Sequence, residues 1–385
     1  MYRPPRISPI RHRPRYNPCM PVSAIVLAAG EDSRMRSSRP KPLHLICGRP
    51  MVMHVIHALE GVDVERTVVV VGSDAERVTK KVQEQAPVWA GVTFVEQEVR
   101  HGSGDATLVG LSAFDSDDLD DTSTVVVLPG DRPLLRARTI TDLVRQHEAG
   151  DTAATVVTVV RDRPAGFRRV VRAASRQGEG RILRIVEDAN ASVEEALITE
   201  CSTSILAFRR DLLAPALRRL RPSQANGEFY LSDVIEELAS MGYPIGSMAL
   251  DDTSEVLDVE DRWQLAMVER ELRARTNRMW MLNGVTMFDP RQTFIDVTVD
   301  LGRDVTLYPG TILQGRTVIG DGCEIGPNTR LVDCVVGDDA TVANSVGMEA
   351  EIGRGAEVGP FAYLEAGAAV GESARTGPFY TGRAE

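Results

Sequence analysis

Three short apolar runs in this chain each end at a small polar loop, and those loops hold the residues best suited to chemistry. Residues 23–29 (SAIVLAA) lead into Gly30, with Arg34 and Lys41 shortly after. Thr67 to Val71 lead into Gly72-Ser73, and Thr124 to Leu128 into Pro129-Gly130-Asp131. A turn of small residues after a strand turns backbone N–H groups toward an anion, and nearby cations add charge. Arg34 can grip a phosphate in fork geometry, whereas Lys41 acts as a point charge. Lys41 is one of only three lysines, with Lys80 and Lys81, so nearly all positive charge is arginine. Asp131 brings a carboxylate to a strand end. A lone Asp there is more often a turn or cap residue, so by itself it decides nothing.

Continuous apolar strands separated by helical patterns indicate an α/β domain with a parallel sheet covered on both faces. Ligands of such sheets bind beyond the carboxyl ends of the strands, where these loops fall. Residues 259–281 read as a polar-rich connecting helix, and then the period changes. Leu301, Leu307, Leu313, Ile319, Ile325 and Leu331 are spaced by six; after a phase shift Ile352, Val358, Leu364 and Val370 resume that spacing. A period of six fits neither a helix nor a flat strand; it fits a hexapeptide β-helix, here of about four coils. The expected organisation is a basic flexible extension over 1–20, the α/β domain over 21–258, a connecting helix over 259–283 and the β-helix over 284–385. The extension carries Arg3, Arg6, Arg11, Arg13 and Arg15, and a true start at Met20 is its rival reading.

Composition narrows the function further. Of 385 residues, 43% are hydrophobic and 26% charged, as in a globular protein with a sizeable core. The net charge of -11 speaks against nonspecific nucleic-acid binding, which needs clustered Lys and Arg. No apolar run approaches the roughly 20 residues of a membrane span. The five cysteines show no CxxC spacing, which predicts reduced thiols in a cytoplasmic protein.

With these residues assembled, the chain resembles the bifunctional N-acetylglucosamine-1-phosphate uridyltransferase/glucosamine-1-phosphate acetyltransferase family. The run Leu27-Ala28-Ala29-Gly30-Glu31-Asp32-Ser33-Arg34-Met35, then Pro40-Lys41-Pro42-Leu43, is similar to the family's phosphate loop and Pro-Lys-x-Leu. The resemblance implies a Rossmann-like nucleotidyltransferase domain followed by a short left-handed parallel β-helix. It casts Arg34 and Lys41 as the catalytic cations, with Leu27, Ala28, Ala29 and Gly30 around the nucleotide. Gln97 with Gly102, Ser103 and Gly104 is similar to the uracil-reading segment, implying UTP, with dTTP or CTP as alternatives. Asp131 matches the Mg²⁺-binding aspartate, and Glu260 stands at the second metal ligand. Glu187, Ser202 and Ser232 match sugar-binding segments. The reaction implied is attack by a sugar 1-phosphate on the α-phosphorus of UTP, giving a UDP-sugar and pyrophosphate. The family also implies a homotrimer built on the β-helix.

Several positions depart from the family's pattern. Asp32 replaces a loop glycine; facing a phosphate charge at ~4 Å it would cost on the order of 4 kcal/mol. Phe167-Arg168-Arg169 replaces Tyr-Gly-Arg, so a side chain stands where a glycine backbone approached the sugar. Ser202-Thr203-Ser204 replaces Asn-Thr-Gly, and Asp258-Val259-Glu260 replaces Gly-Val-Asn. No histidine follows His147, and Glu365 falls at a substrate-binding arginine, which predicts no acetyl transfer. The chain then reads as a truncated paralogue lacking most of the acetyltransferase domain. An active uridylyltransferase with altered sugar specificity is the main expectation. A catalytically impaired, nucleotide-binding regulator or scaffold is the alternative.

Overall fold

The computed structural model describes residues 22–30, 33–114, 123–174, 180–224 and 226–384. The basic extension and Asp32 lie outside the described residues. Two compact units are formed: one by the chain up to Leu43 with Met51–Asp258, the other by His44–Pro50 with Val259–Glu385.

The first unit is built on one sheet. Its strands are β1 (Val22–Ala28), β2 (Val64–Val71), β3 (Val92–Glu96), β4 (Thr124–Pro129), β5 (Ala154–Val160), β6 (Arg168–Arg172), β7 (Ile182–Val186), β8 (Glu200–Arg209) and β9 (Ile245–Ala249). The order across the sheet is β9-β5-β8-β4-β1-β2-β3, with β6 paired to β8 and β7. The sequence predicted a parallel sheet; the sheet is mixed, because β8 runs antiparallel to both β4 and β5. The central strands are apolar on both faces because both faces are covered. Ala24, Val26 and Ala28 of β1 enter one apolar cluster, and Ile25 with the following Ala29 enters the other. Val126 and Leu128 of β4 face the first cluster, Val125 and Val127 the second. At the topological centre, β1 and β4 run parallel in register, with Leu27 opposite Pro129. The Gly130 N–H then donates to the Leu27 carbonyl at 2.8 Å. That bond ties the Asp131 turn to the end of β1.

In the second unit a helix over Arg262–Leu282 starts at a capping box made by Asp261 and Gln264. Three parallel sheets of five, six and five strands follow, the left-handed β-helix. Leu301, Leu307, Leu313, Ile319, Ile325 and Leu331 all point into its core. The expected four coils are too few. Met287 and Ile295 pair with Leu307 and Leu313, adding an earlier turn in which only the step from Met287 to Ile295 breaks the count at sixes. The phase shift is a shortened coil, in which Leu331 stacks on Gly347 and Val336 on Ile352. Gly347 takes an inward position because a Cβ there would come 3.0 Å from Leu331 Cδ2 and 3.2 Å from Cys334 Sγ. Cys323 and Cys334 fill this core as small apolar groups, and burial pushes both thiols up, Cys323 to about 11. Residues 44–50, read from the sequence with the first domain, pack here as a hairpin. The Cys47 N–H donates to Glu269 Oε2 at 2.7 Å and its carbonyl accepts from Val297 N–H. Among the described residues no helix is long and apolar enough to cross a membrane.

Candidate active site

The two loops singled out at the ends of β1 and β4 meet. Leu27, Ala28, Gly30, Lys41, Pro42, Met51, Gly130 and Asp131 line one cavity of about 30 Å³, room for one or two waters. Lys41 opens a single helical turn, Lys41–Leu43, anchored by buried Pro42. Its ammonium donates to Asp131 Oδ2 at 2.7 Å across ninety residues of chain. Burial works against ionising Asp131, but the charges of Lys41 and Arg132 outweigh it and hold the carboxyl below its usual range. Asp131 is therefore an ionised, hard oxygen donor at neutral pH. Arg34 sits in the turn Ser33–Met35, exposed above buried Met35. Arg132 is buried; it donates to the Val256 carbonyl and lies 3.7 Å from Asp258.

The base-reading candidates gather around a helix over Ser103–Ser112. Gln97 is buried, and its amide nitrogen donates to Asp105 at 2.7 Å and to the Gly102 carbonyl at 3.3 Å. Gly102 has φ +95°, and a Cβ there would stand 2.5 Å from the Phe229 carbonyl oxygen. Ser103 Oγ accepts the Leu231 N–H at 3.0 Å. Gly102 and Ser103 thus hold the 229–231 segment, a structural task the sequence did not reveal. The Ser103 hydroxyl proton is still available to a ligand.

The sugar-side candidates also converge. Glu187 Oε1 accepts from Ser232 Oγ at 3.3 Å and from Arg168 Nε. Arg168 lies opposite Ser202 in the β6–β8 ladder and donates to Ser204 Oγ at 2.7 Å. The Ser202 hydroxyl itself accepts the Ser204 N–H at 3.3 Å. Asp233 opens the helix Asp233–Ser240; burial, then Glu187 and Glu236, push its carboxyl up to about 6. So Arg168, noted in the sequence as an intrusion, bonds Glu187 directly, lies opposite Ser202 in the ladder, and shares Glu187 with Ser232.

For a metal, the described residues contain no group of three or more His, Cys, Asp or Glu able to hold an ion. Asp131 fits Mg²⁺ as a single hard carboxylate, because that ion is usually held by one or two carboxylates plus phosphate oxygens. Glu260 belongs to the second unit, where its N–H donates to Gln264 Oε1 at 2.7 Å ahead of the long helix.

Comparison with known proteins agrees with this geometry. Residues 24–238 match the family model of the MobA-like NTP transferase domain. The chain is 42% identical over 365 residues to the bifunctional protein GlmU of Rhodococcus opacus strain B4, covering 94% of this chain and 72% of the relative. It is 41% identical to GlmU of Mycobacterium tuberculosis H37Ra (93% and 71% covered) and 37% to that of Geobacillus sp. WCH70 (92% and 74%). The chain belongs to the GlmU family. It is accordingly a sugar-1-phosphate nucleotidyltransferase, of the uridylyltransferase class. With nearly the whole chain aligned, the reading as a truncated paralogue finds no support.

Several residues of this candidate site were not named from sequence. Arg132 and Asp233 directly follow Asp131 and Ser232, and that adjacency was the available signal. Ser204 appeared only as a departure. Arg161, stacked on Phe167 with its Cζ 4.1 Å from the ring centroid, had no sequence signal at all.

Proposed function

We propose that this chain transfers a uridylyl group from UTP to a hexose-type 1-phosphate, N-acetylglucosamine 1-phosphate or a related sugar, releasing pyrophosphate. The observation that carries this is the Lys41–Asp131 pair set in the cavity that Leu27, Ala28 and Gly30 also line. It supplies a cation for the triphosphate and an ionised carboxylate for Mg²⁺ where open α/β sheets bind ligands. In the reaction an oxygen of the sugar phosphate attacks the α-phosphorus in line, and the bond to pyrophosphate breaks. No protein nucleophile is required; the enzyme positions its substrates and offsets charge.

Arg34 and Lys41 grip the phosphates, Ala29 and Gly30 give the loop its close approach, and Gln97, Gly102 and Ser103 face the base. Glu187, Ser202 and Ser232 hold the sugar. Asp131 would hold the magnesium, which would supply neutralisation of phosphate charge when bound. We further propose a cytoplasmic homotrimer that binds neither nucleic acid nor membrane. These residues carry no acetyl transfer, since none after His147 is a histidine.

A regulator or scaffold is the second reading, favoured by one observation: Arg168 occupies Glu187, a carboxylate otherwise suited to sugar hydroxyls. Pyrophosphate release with UTP and Mg²⁺ across a panel of sugar 1-phosphates decides between them. Turnover that Asp131→Ala abolishes establishes the enzyme and names its acceptor. Silence from folded, UTP-binding protein favours the scaffold.

A further inference from the structure

Four arginines crowd the sugar side of the first unit, and three of them have acidic partners. Arg132 lies 3.7 Å from Asp258, Arg168 is bonded to Glu187, and Arg169 meets Asp188 at 2.6 Å. Arg161, at the end of β5, is different. Its backbone N–H donates to the Thr199 carbonyl, but its Nε and Nη2 are shielded from solvent and have no hydrogen-bond acceptor. Its plane is held instead by the Phe167 ring, 4.1 Å away. Arg161 is close enough for its charge to act on both Arg132 and Cys201.

Shielding two guanidinium nitrogens without acceptors is unfavourable, because N–H groups stripped of water forfeit their hydrogen bonds. Arg132 and Arg169 also have a shielded Nε without an acceptor, but their terminal nitrogens bond main-chain carbonyls, as no terminal nitrogen of Arg161 is seen to do. Stacking on an aromatic ring orients the guanidinium fork while leaving its donors unspent, the arrangement that suits a phosphate. The nucleotide loop already has Arg34 and Lys41. The acceptor is itself a phosphate monoester that must approach a triphosphate, and like charges at close range repel strongly in a partly desolvated site.

We propose that Arg161, oriented by Phe167, binds the phosphate of the acceptor sugar 1-phosphate. This rests on the function proposed above and adds the residue that recruits the second substrate. Arg161 is a binding residue; its Nε and Nη2 gain acceptors only in the complex.

The test uses the full chain. Inorganic phosphate is titrated calorimetrically into wild type, Arg161→Gln, Arg161→Lys and Phe167→Leu, with Arg303→Gln of the β-helix as the remote control. Steady-state KM is measured for UTP and for the sugar 1-phosphate that turns over. Losing a charge-assisted pair predicts a tenfold to hundredfold weaker phosphate affinity and a matching rise in acceptor KM in Arg161→Gln. KM for UTP stays within about twofold, and Phe167→Leu shifts the acceptor in the same direction by less. Phosphate affinity unchanged in folded Arg161→Gln overturns the proposal, as does a wild type that binds no phosphate at millimolar concentration. An equal rise in the KM for UTP overturns it too, because the guanidinium would then serve both substrates. Should Arg161→Gln not fold, Arg161→Lys and Phe167→Leu decide by the same readings. If no sugar phosphate turns over, the proposed function fails, while the phosphate titration still judges Arg161 separately.

Discussion

Gly130→Ala should damage the enzyme through geometry alone. Gly130 is not in the left-handed region, so the conformational effect of alanine is mildly favourable, about 0.4–1 kcal/mol. The steric effect opposes it. A Cβ on Gly130 would stand 2.8 Å from the Leu27 carbonyl oxygen and 3.3 Å from Ala28 Cβ. The first contact is with backbone in the centre of the sheet, and the same carbonyl accepts the Gly130 N–H at 2.8 Å. The turn must therefore move by a few tenths of an ångström and loosen that bond. Overpacking of this kind costs about 1–3 kcal/mol, which lowers Tm by several degrees in a domain of this size. Asp131 is the next residue, so the carboxylate shifts against Lys41. Misplacement approaching 1 Å can cost on the order of a hundredfold in rate, so a tenfold to hundredfold loss of kcat/KM in pyrophosphate release is expected. Gly30→Ala is the stability control, since its Cβ would meet nothing within 4 Å. If Gly130→Ala melts with wild type and keeps its kcat/KM within twofold, the close-approach argument is wrong.

Other expectations concern charge and packing. Asp131→Ala should reduce turnover at least a hundredfold while the protein still folds; an active variant would remove Asp131 from the chemistry. Asp233, pushed up to about 6, binds more protons folded than unfolded between about pH 4 and pH 6, so it lowers stability as pH rises through that window. Asp233→Asn should raise stability at pH 7.5 by on the order of 1–2 kcal/mol, read as a higher Tm, and by less at pH 5; an equal gain at both would refute the assignment. Gly347→Leu completes the hexapeptide pattern on paper, yet it should destabilise the β-helix by about 1–3 kcal/mol. Thermal melts would show this, and a neutral result would mean the shortened coil has room. Arg168→Ala frees Glu187 and should change acceptor KM while leaving that for UTP within twofold; no change would detach Glu187 from the sugar.

Period and strand-end chemistry are local properties, and they were legible directly. The apolar runs ending at Gly30 and Asp131 marked the edge that carries the candidate site, because a strand covered on both faces must be apolar throughout. Leu301 to Leu331 at sixes marked the β-helix, because an inward side chain recurs once per face. The first turn was left out of the coil count because Met287 lies eight residues before Ile295, although Ile295 itself lies six before Leu301. The antiparallel β8 was missed because strand direction depends on the chain's path between strands, not on composition. Pairing across long separations lay equally out of reach. Nothing in the order of residues places Arg168 on Glu187, gives the Gln97 amide to Asp105, or leaves Arg161 on Phe167 without an acceptor. Those contacts arise only when distant segments are folded against one another, since burial and charge partners depend on three-dimensional neighbours. Which groups could do chemistry was written in the chain; which are already occupied, and which still await a ligand, was decided by the folded structure.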